Sequence, residues 1–328
     1  MSATGKKTWI KVLRVLFVAA SLALLYYLLH RVGWARISEY SVRLGWSGAV
    51  LILGLGYLHS FLGGLALRKS ITEEVSFLYV HVTNQAGGVV NRLVPWDAGE
   101  ILKVTLLSQR TSSKAAISGT IVWNYVMKLS KPIATLLSST IAWMFGSPEM
   151  SDLALWMMLA SVISFAPYII FRLLVHFGLA NMVTRLLRLL RVIRKDPQKT
   201  IEKAKEIDTV VRTFSKTHRW AYFQILFLQF AGFFVSWVIV YAVLRFLGYE
   251  YDFATTGLIW TGFAVMAYLV GLLPSRLGTT EASGWVLFEL LGLDPAVGLM
   301  VQCILTLRTI VVSGSTALLI FAFPSLKK

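Results

Sequence analysis

Charged side chains are scarce in this chain. Asp, Glu, Lys and Arg make up 15 % of its 328 residues, against roughly 25 % in an ordinary soluble protein. A water-soluble domain could not cover its surface with so few, so most of this surface faces lipid. Cysteine is all but missing. The single Cys303 lies in an apolar run, which excludes an intrachain disulfide and leaves redox or metal chemistry without a ligand cluster. It reads as a buried, inert thiol. A Gly-rich phosphate loop ending in Lys-Ser/Thr, a nucleophile elbow and a metal-spaced His group are all lacking. His59 and His81 are isolated and read as helix-contact residues. The chain is therefore not read as an enzyme, and no cofactor is expected.

What remains is hydrophobic. Apolar residues reach 56 %, and the net charge is +16. Such a cation excess would suit nucleic acid if it covered one polar surface. Here Lys and Arg sit at the N-terminus, in one central connection and at the C-terminus, between apolar runs. That is the positive-inside pattern of a multi-pass protein of the cytoplasmic (inner) membrane, with both termini in the cytoplasm. Nucleic acid is not expected as a partner. The stretch from Ala35 to Glu39 offers no small-x-small cleavage site, so the first apolar run is expected to stay as a helix.

A span needs about 20 apolar residues. Full spans are expected at Val12 to Leu29, Trp46 to Leu67, Ala115 to Phe145, Leu153 to Phe177, Tyr222 to Leu247 and Val297 to Phe323. Trp34, Trp46, Tyr249 and Tyr251 suit the membrane interfaces. Two further apolar stretches are broken, Val75 to Leu107 at Asn91–Glu100 and Ala254 to Leu291 at Pro274–Glu281. The expected fold is an all-α polytopic membrane protein, one domain over 1–328, with about six full transmembrane helices and two broken, re-entrant helical hairpins. The one long polar connection, 181–219, is expected in the cytoplasm. Met182, Val183, Leu186, Leu187, Leu190 and Ile193 alternate with arginines there. This suits either an amphipathic helix on the anionic inner leaflet or a solvated topogenic loop.

The two breaks resemble each other. Pro95-x-x-x-Gly99 recurs as Pro274-x-x-x-Gly278, and Glu100 and Glu281 lie just beyond. By the charge rule the first unit opens from the cytoplasm, between Arg68-Lys69 and Lys114, and the second from outside. The pattern predicts an inverted repeat, with repeat one about 12–145 and repeat two about 220–323, and a site near the midplane where the breaks meet. Irregular backbone is tolerated at that depth only when buried in protein or lining a wet cavity. The competing interpretation is two ordinary interfacial turns.

A charge at the bilayer centre costs roughly 2.5–3.5 kcal/mol on insertion scales, so each needs a partner or a task. The candidate substrate-binding residues are Asn91, Arg92, Asp97, Glu100, Lys103, Lys128, Arg276, Glu281 and Arg308, with Pro95, Gly99, Pro274 and Gly278 as hinges. Glu100 and Lys103 share a helix face at i, i+3. Helix N-termini near Asp97 and Thr279 would offer free N–H groups to an anion. Against this, Glu100–Lys103 and Glu281–Arg308 would serve as structural pairs only, and Lys128 and Lys131 could snorkel.

The combination of Asn91-x-x-x-Pro95-x-x-x-Gly99-Glu100-x-x-Lys103 with Leu273-Pro274-x-x-x-Gly278-x-x-Glu281 and Arg308 resembles the lysylphosphatidylglycerol synthase transmembrane-region family. The resemblance runs over nearly the whole chain and is carried by about eight positions. It implies a lipid translocase module, which in the namesake moves aminoacylated phosphatidylglycerol between leaflets. The namesake's soluble aminoacyl-transferase domain has no counterpart in these residues, so lipid synthesis is not implied. Three departures bear on head-group choice. Lys103 stands where the family usually has arginine and gives up bidentate phosphate binding. Ser275-Arg276-Leu277 adds a cation where glycine is usual. No acid–Arg pair is evident around Asn124.

The function expected is a flippase-like lipid translocase for a phospholipid or polyprenyl-linked head group. The alternatives are a membrane-embedded transferase acting on a lipid carrier and a non-catalytic scaffold for a lipid-modifying partner. Membrane lipids are the expected partners, together with the anionic inner leaflet through 181–219, and a homo-oligomer is compatible with such a surface.

Overall fold

The structure is a computed structural model that describes residues 23–93, 98–146, 148–178, 197–270 and 278–322. Pro95, Asp97, Pro274 and Arg276 lie outside the described residues, as do most of the first expected span and the arginine-rich run 182–193. Among the described residues the only regular structure is helix.

A helical segment at 23–32 leads through Gly33 into α1 (Trp34–Ser70). There follow α2 (Phe77–Leu93), α3 (Ala98–Leu107), α4 (Ser113–Phe145), α5 (Ser151–Ile163), α6 (Ala166–Phe177), α7 (Pro197–Thr217), α8 (Arg219–Phe246), α9 (Phe253–Val270), α10 (Thr279–Leu290) and α11 (Pro295–Ala322). Among the described residues, four stretches are long and apolar enough to cross a membrane: α1, α5 with the start of α6, α8 and α11. The protein is a polytopic helical membrane protein.

Small residues set how closely the helices approach. Gly48, Gly56 and Gly64 line the buried face of α1. An added Cβ there would press on Phe246 of α8, Arg308 of α11 and His81 of α2 respectively. Close backbone approach through small residues is how helices associate where lipid removes the hydrophobic drive. The largest apolar cluster gathers Ile52 of α1, Trp237 and Val240 of α8, Phe263 of α9, Phe288 of α10 and Met300 of α11.

Three elements differ from expectation. α4 is 33 residues long, yet it is not among the four apolar stretches. Its serines and threonines turn inward: Ser130, Thr135, Ser138 and Ser139 are buried, Ser138 shares a hydrogen bond with Thr261 of α9, and Lys128 and Lys131 add charge. A helix that turns this face into protein can carry that polar load. The expected span from Leu153 to Phe177 is two helices, separated by a turn at Ser164 and Phe165. A proline at 167 has no N–H to continue the ladder of the preceding helix, which accounts for the break. The second half of the polar connection is a helix rather than a loop. α7 begins at Pro197, a favoured first helical position, and buries Val211 and Phe214 against Val122 and Val126 of α4 and Ile225 of α8. Its lysines mask that apolar stripe in the sequence.

Both broken stretches fold as helical hairpins. Along α2 and α3 the contacts run antiparallel. Tyr79 donates to the Leu106 carbonyl at 2.6 Å, Gly87 lies against Gly99 and Lys103, and the Asn91 side chain accepts the Gly99 N–H at 2.6 Å. The open end is clamped by Glu73, whose carboxylate accepts the Ser112 N–H at 2.8 Å and the hydroxyls of Ser112 and Thr111. In the second hairpin, Gly262 of α9 meets Leu287 of α10, and the Phe263 and Phe288 rings stack 6.0 Å apart. α11 is the wall both hairpins share. It crosses α10 at Gly284 and Gly298, where a Cβ on either glycine would meet the other's carbonyl oxygen, and it reaches α2 through Ser313, which donates to Gln85 at 2.8 Å.

Two outcomes are expected. Gly99→Ala places a methyl against the Gly87 carbonyl and the Asn91 side chain, and overpacking of this kind costs about 1–3 kcal/mol. Gly54→Ala, with nothing near its added Cβ, is the control, and thermal unfolding in detergent should drop for the first alone. The three donors on Glu73 hold its carboxyl down at about 2 instead of 4.5. A depressed carboxylate contributes stability above its unfolded pKa and loses it as pH falls through the folded value. Spin labels at Glu74 and Gln109 should therefore keep a narrow distance distribution through the ordinary carboxylate range and broaden only near about pH 2. In Glu73→Gln the distribution should be broad at neutral pH.

Candidate functional site

Two groups of polar side chains lie within the bundle, and the last turn of α2 contributes to both. In the first, Glu100 sits in the opening turn of α3, where the helix dipole favours a carboxylate. Its Oε1 takes the Lys103 ammonium at 2.7 Å and the Asn91 amide at 3.0 Å, and its Oε2 takes the Asn124 amide of α4 at 3.0 Å. Lys103 is 2 % exposed, and its Nζ stands 4.1 Å from the centre of the Trp123 ring, a cation–π contact. The expected i, i+3 pair thus forms, and it ties three helices together. Asn124 and Trp123 were not among the candidate residues. The available signal was an amide in the middle of an apolar span, where a buried polar group requires a partner.

The second group is arranged differently. Glu281 is 2 % exposed. Its Oε2 accepts the Gly278 N–H at 2.6 Å, closing the start of α10 in the manner of a capping box. Gly278 has φ +82°, which only glycine adopts without strain. The other oxygen, Oε1, is buried and has no hydrogen-bond partner among the described residues. Arg308 of α11 lays its aliphatic stem across Gly56. Its Nη2 donates to Thr309 at 3.2 Å, while its buried Nη1 has no hydrogen-bond partner among the described residues. Another cation, Arg92, is the charge that acts on it. Among the described residues Glu281 and Arg308 form no ion pair, so a structural Glu281–Arg308 lock is not what the fold builds. Glu281 instead lies in the electrostatic surroundings of Cys303, which is half-buried where a buried thiol was expected.

The other candidates fall around these groups. Asn91 and Arg92 are consecutive at the end of α2, one serving Glu100 and the other lying near Arg308. Lys128 is half-buried on α4, one turn from Asn124. Lys131 sets its ammonium 4.2 Å from the Tyr268 ring centre. His59 is a helix contact, its Nδ1 2.9 Å from the Gly232 carbonyl of α8, and His81 stacks on Phe77 with 5.5 Å between ring centres. Among the described residues no group of His, Cys, Asp and Glu could hold a metal ion. The helices after the breaks begin at Ala98 and Thr279, so both glutamates lie in first turns.

No curated protein and no solved structure matches the chain significantly. The sequence profile of the lysylphosphatidylglycerol synthase TM region matches residues 12–314, nearly the full length and both hairpins. The protein belongs to the lysylphosphatidylglycerol synthase transmembrane-region family.

Proposed function

We propose that this protein is a lipid translocase that carries a phosphate-bearing head group between leaflets of the inner membrane. The observation that supports this most directly is Arg308. A guanidinium inside an apolar bundle, with one donor nitrogen unsatisfied and a second cation beside it, is costly unless an anion completes it. Guanidinium matches the geometry and charge of a phosphate diester, and charge-assisted hydrogen bonds are about twice as strong as neutral ones. In a membrane, a phosphate that arrives among helices comes attached to lipid tails.

In this reading α4 is a further crossing. The α2–α3 unit is a re-entrant hairpin opening to the cytoplasm, and the α9–α10 unit is its inverted counterpart opening outside. Their tips meet the head group near the midplane, where Arg308 and Arg92 take the phosphate. The unspent Oε1 of Glu281 accepts a hydroxyl or ammonium from the same head group. Glu100, Lys103, Asn91 and Asn124 act differently, by holding α3 at a fixed angle to α4. The head group then passes as the hairpins expose the polar centre to one leaflet and then the other, while the tails stay in lipid. Membrane family, polar centre and paired hairpins all favour transport over chemistry. A transferase needs a carboxylate or His open to a soluble donor. The cavity of about 420 Å³ beside α7 does contain Glu73 and His218, but that carboxylate is spent on Ser112 and Thr111.

The two polar groups separate cleanly under substitution. Arg308→Met removes an incompletely satisfied buried charge, which is neutral to stabilising. Its thermal stability should hold or rise while head-group translocation in proteoliposomes, followed with a fluorescent phospholipid, falls at least about tenfold, the equivalent of one lost charge-assisted contact of roughly 1.4 kcal/mol. Lys103→Met strands Glu100 and should instead cost about 3–5 kcal/mol of stability. Wild-type translocation by Arg308→Met would sink the proposal.

A further inference from the structure

The opening stretch of α1, 34–44, is a separate piece of helix. It runs between two glycines with positive φ, Gly33 at +87° and Gly45 at +56°, and α1 bends at the second. Side chains resist that conformation, and a Cβ added at either glycine would meet nothing within 4 Å. Both ends of the stretch can therefore take up a change of backbone angle. Between them the side chains divide by face. Ile37, Tyr40 and Leu44 turn inward at helical spacing. Tyr40 is 3 % exposed, and Ile37 and Leu44 pack on the apolar cluster that also takes Tyr249, Tyr251, Leu291 and Leu293. Trp34 and Val42 are exposed on the other side, as suits a helix lying at a membrane interface.

What the stretch covers is the mouth of the second hairpin. Arg36 donates to Asp294 at 3.0 Å, in the turn between α10 and α11. Arg43 reaches the turn between α8 and α9, where it donates to the Leu247 carbonyl at 3.0 Å, and Glu39 steadies it at 2.6 Å. The Tyr40 hydroxyl lies 3.5 Å from that of Tyr249. The stretch thus bridges the turn that leads into α9 and the turn that leaves α10, the two ends at which the hairpin opens. Its hold is light. Arg36 and Asp294 are both partly open to solvent, and an exposed ion pair shifts an equilibrium by at most about fivefold. We infer that 34–44 is a hinged gate, closing the outer mouth of the α9–α10 hairpin and swinging on Gly33 and Gly45 to open it. Resting on the translocase reading and its sidedness, this names the step that joins the polar centre to the outer leaflet. A few residues at element ends that absorb large φ/ψ changes are the usual form of such a hinge.

The test uses the full-length protein in a Cys303→Ser background. Arg36→Cys with Asp294→Cys is joined by a short bis-methanethiosulfonate linker in proteoliposomes. Translocation of a fluorescent phospholipid is read on one preparation before linking, after linking and after reduction. Linking should slow it at least about tenfold, as holding a gate shut makes its opening rate-limiting, and reduction should restore it. The same linker placed within the gate, between Ser38→Cys and Val42→Cys, should leave the rate unchanged. Motion is read separately from transport. Spin labels at the exposed Ser38 and Glu289 should give two distances in nanodiscs. Arg36→Glu sets a second carboxylate against Asp294 and should raise the share of the longer distance by up to about fivefold. A single distance indifferent to Arg36→Glu would overturn the inference and make the stretch a fixed brace. So would a rate indifferent to the 36–294 link, and there the translocase reading stands. Two distances in a protein that moves no lipid would instead remove the translocase reading and leave a hinged cover over the second hairpin.

Discussion

A charge in hydrocarbon must find its complement, and this protein meets that demand in two unlike ways. Around Glu100 it is met within the chain: an ammonium and two amides converge on one carboxylate, and an indole covers the ammonium. Around Arg308 it is met only in part. The rest of the architecture follows from this division. The first group fixes the α2–α3 hairpin against α4, so the last turn of α2 is held in place and Arg92 is carried toward Arg308. A completed polar group thus sits beside an incomplete one, and in the proposed translocase this preorganisation would let the second bind without reorganising.

Glycine makes the arrangement compact enough to matter. Gly87 and Gly99 let α2 and α3 touch through backbone, and Gly56 gives the Arg308 stem a surface to lie on. With a side chain at position 56, the Arg308 stem and Val312 would have to give way. The polar atoms and the small residues therefore work as one device. On α4 the same economy shows in one face: its buried serines and threonines turn into the bundle, and Leu137, Trp143, Met144 and Phe145 are exposed.

Much of this was legible in the sequence wherever the cause is local. The helices resuming at Ala98 and Thr279, and the Glu100–Lys103 pair, depend on residues a turn apart, and the spaced Pro-x-x-x-Gly-Glu pattern announces them. The family, too, was visible in those positions. What could not be read depends on distant neighbours. Whether Glu281 meets Arg308 is decided by how α10 crosses α11 at Gly284 and Gly298, which no spacing encodes. The helix at Pro197–Thr217 was hidden because its lysines and arginines outweigh a narrow apolar stripe. The bend at Gly45 was hidden because glycine within an apolar run usually signals close packing rather than a turn.

The crossing of α10 and α11 also has a mechanical side. Because two backbones touch there with no side chains between them, the pair has nothing to slide on and nothing to compress. The contact between α2 and α11 is softer, resting on a hydroxyl and an amide that can exchange partners. For the translocase proposed above, a rearrangement of the hairpins would leave α10 and α11 together as one unit and would part the molecule at the seam beside α2.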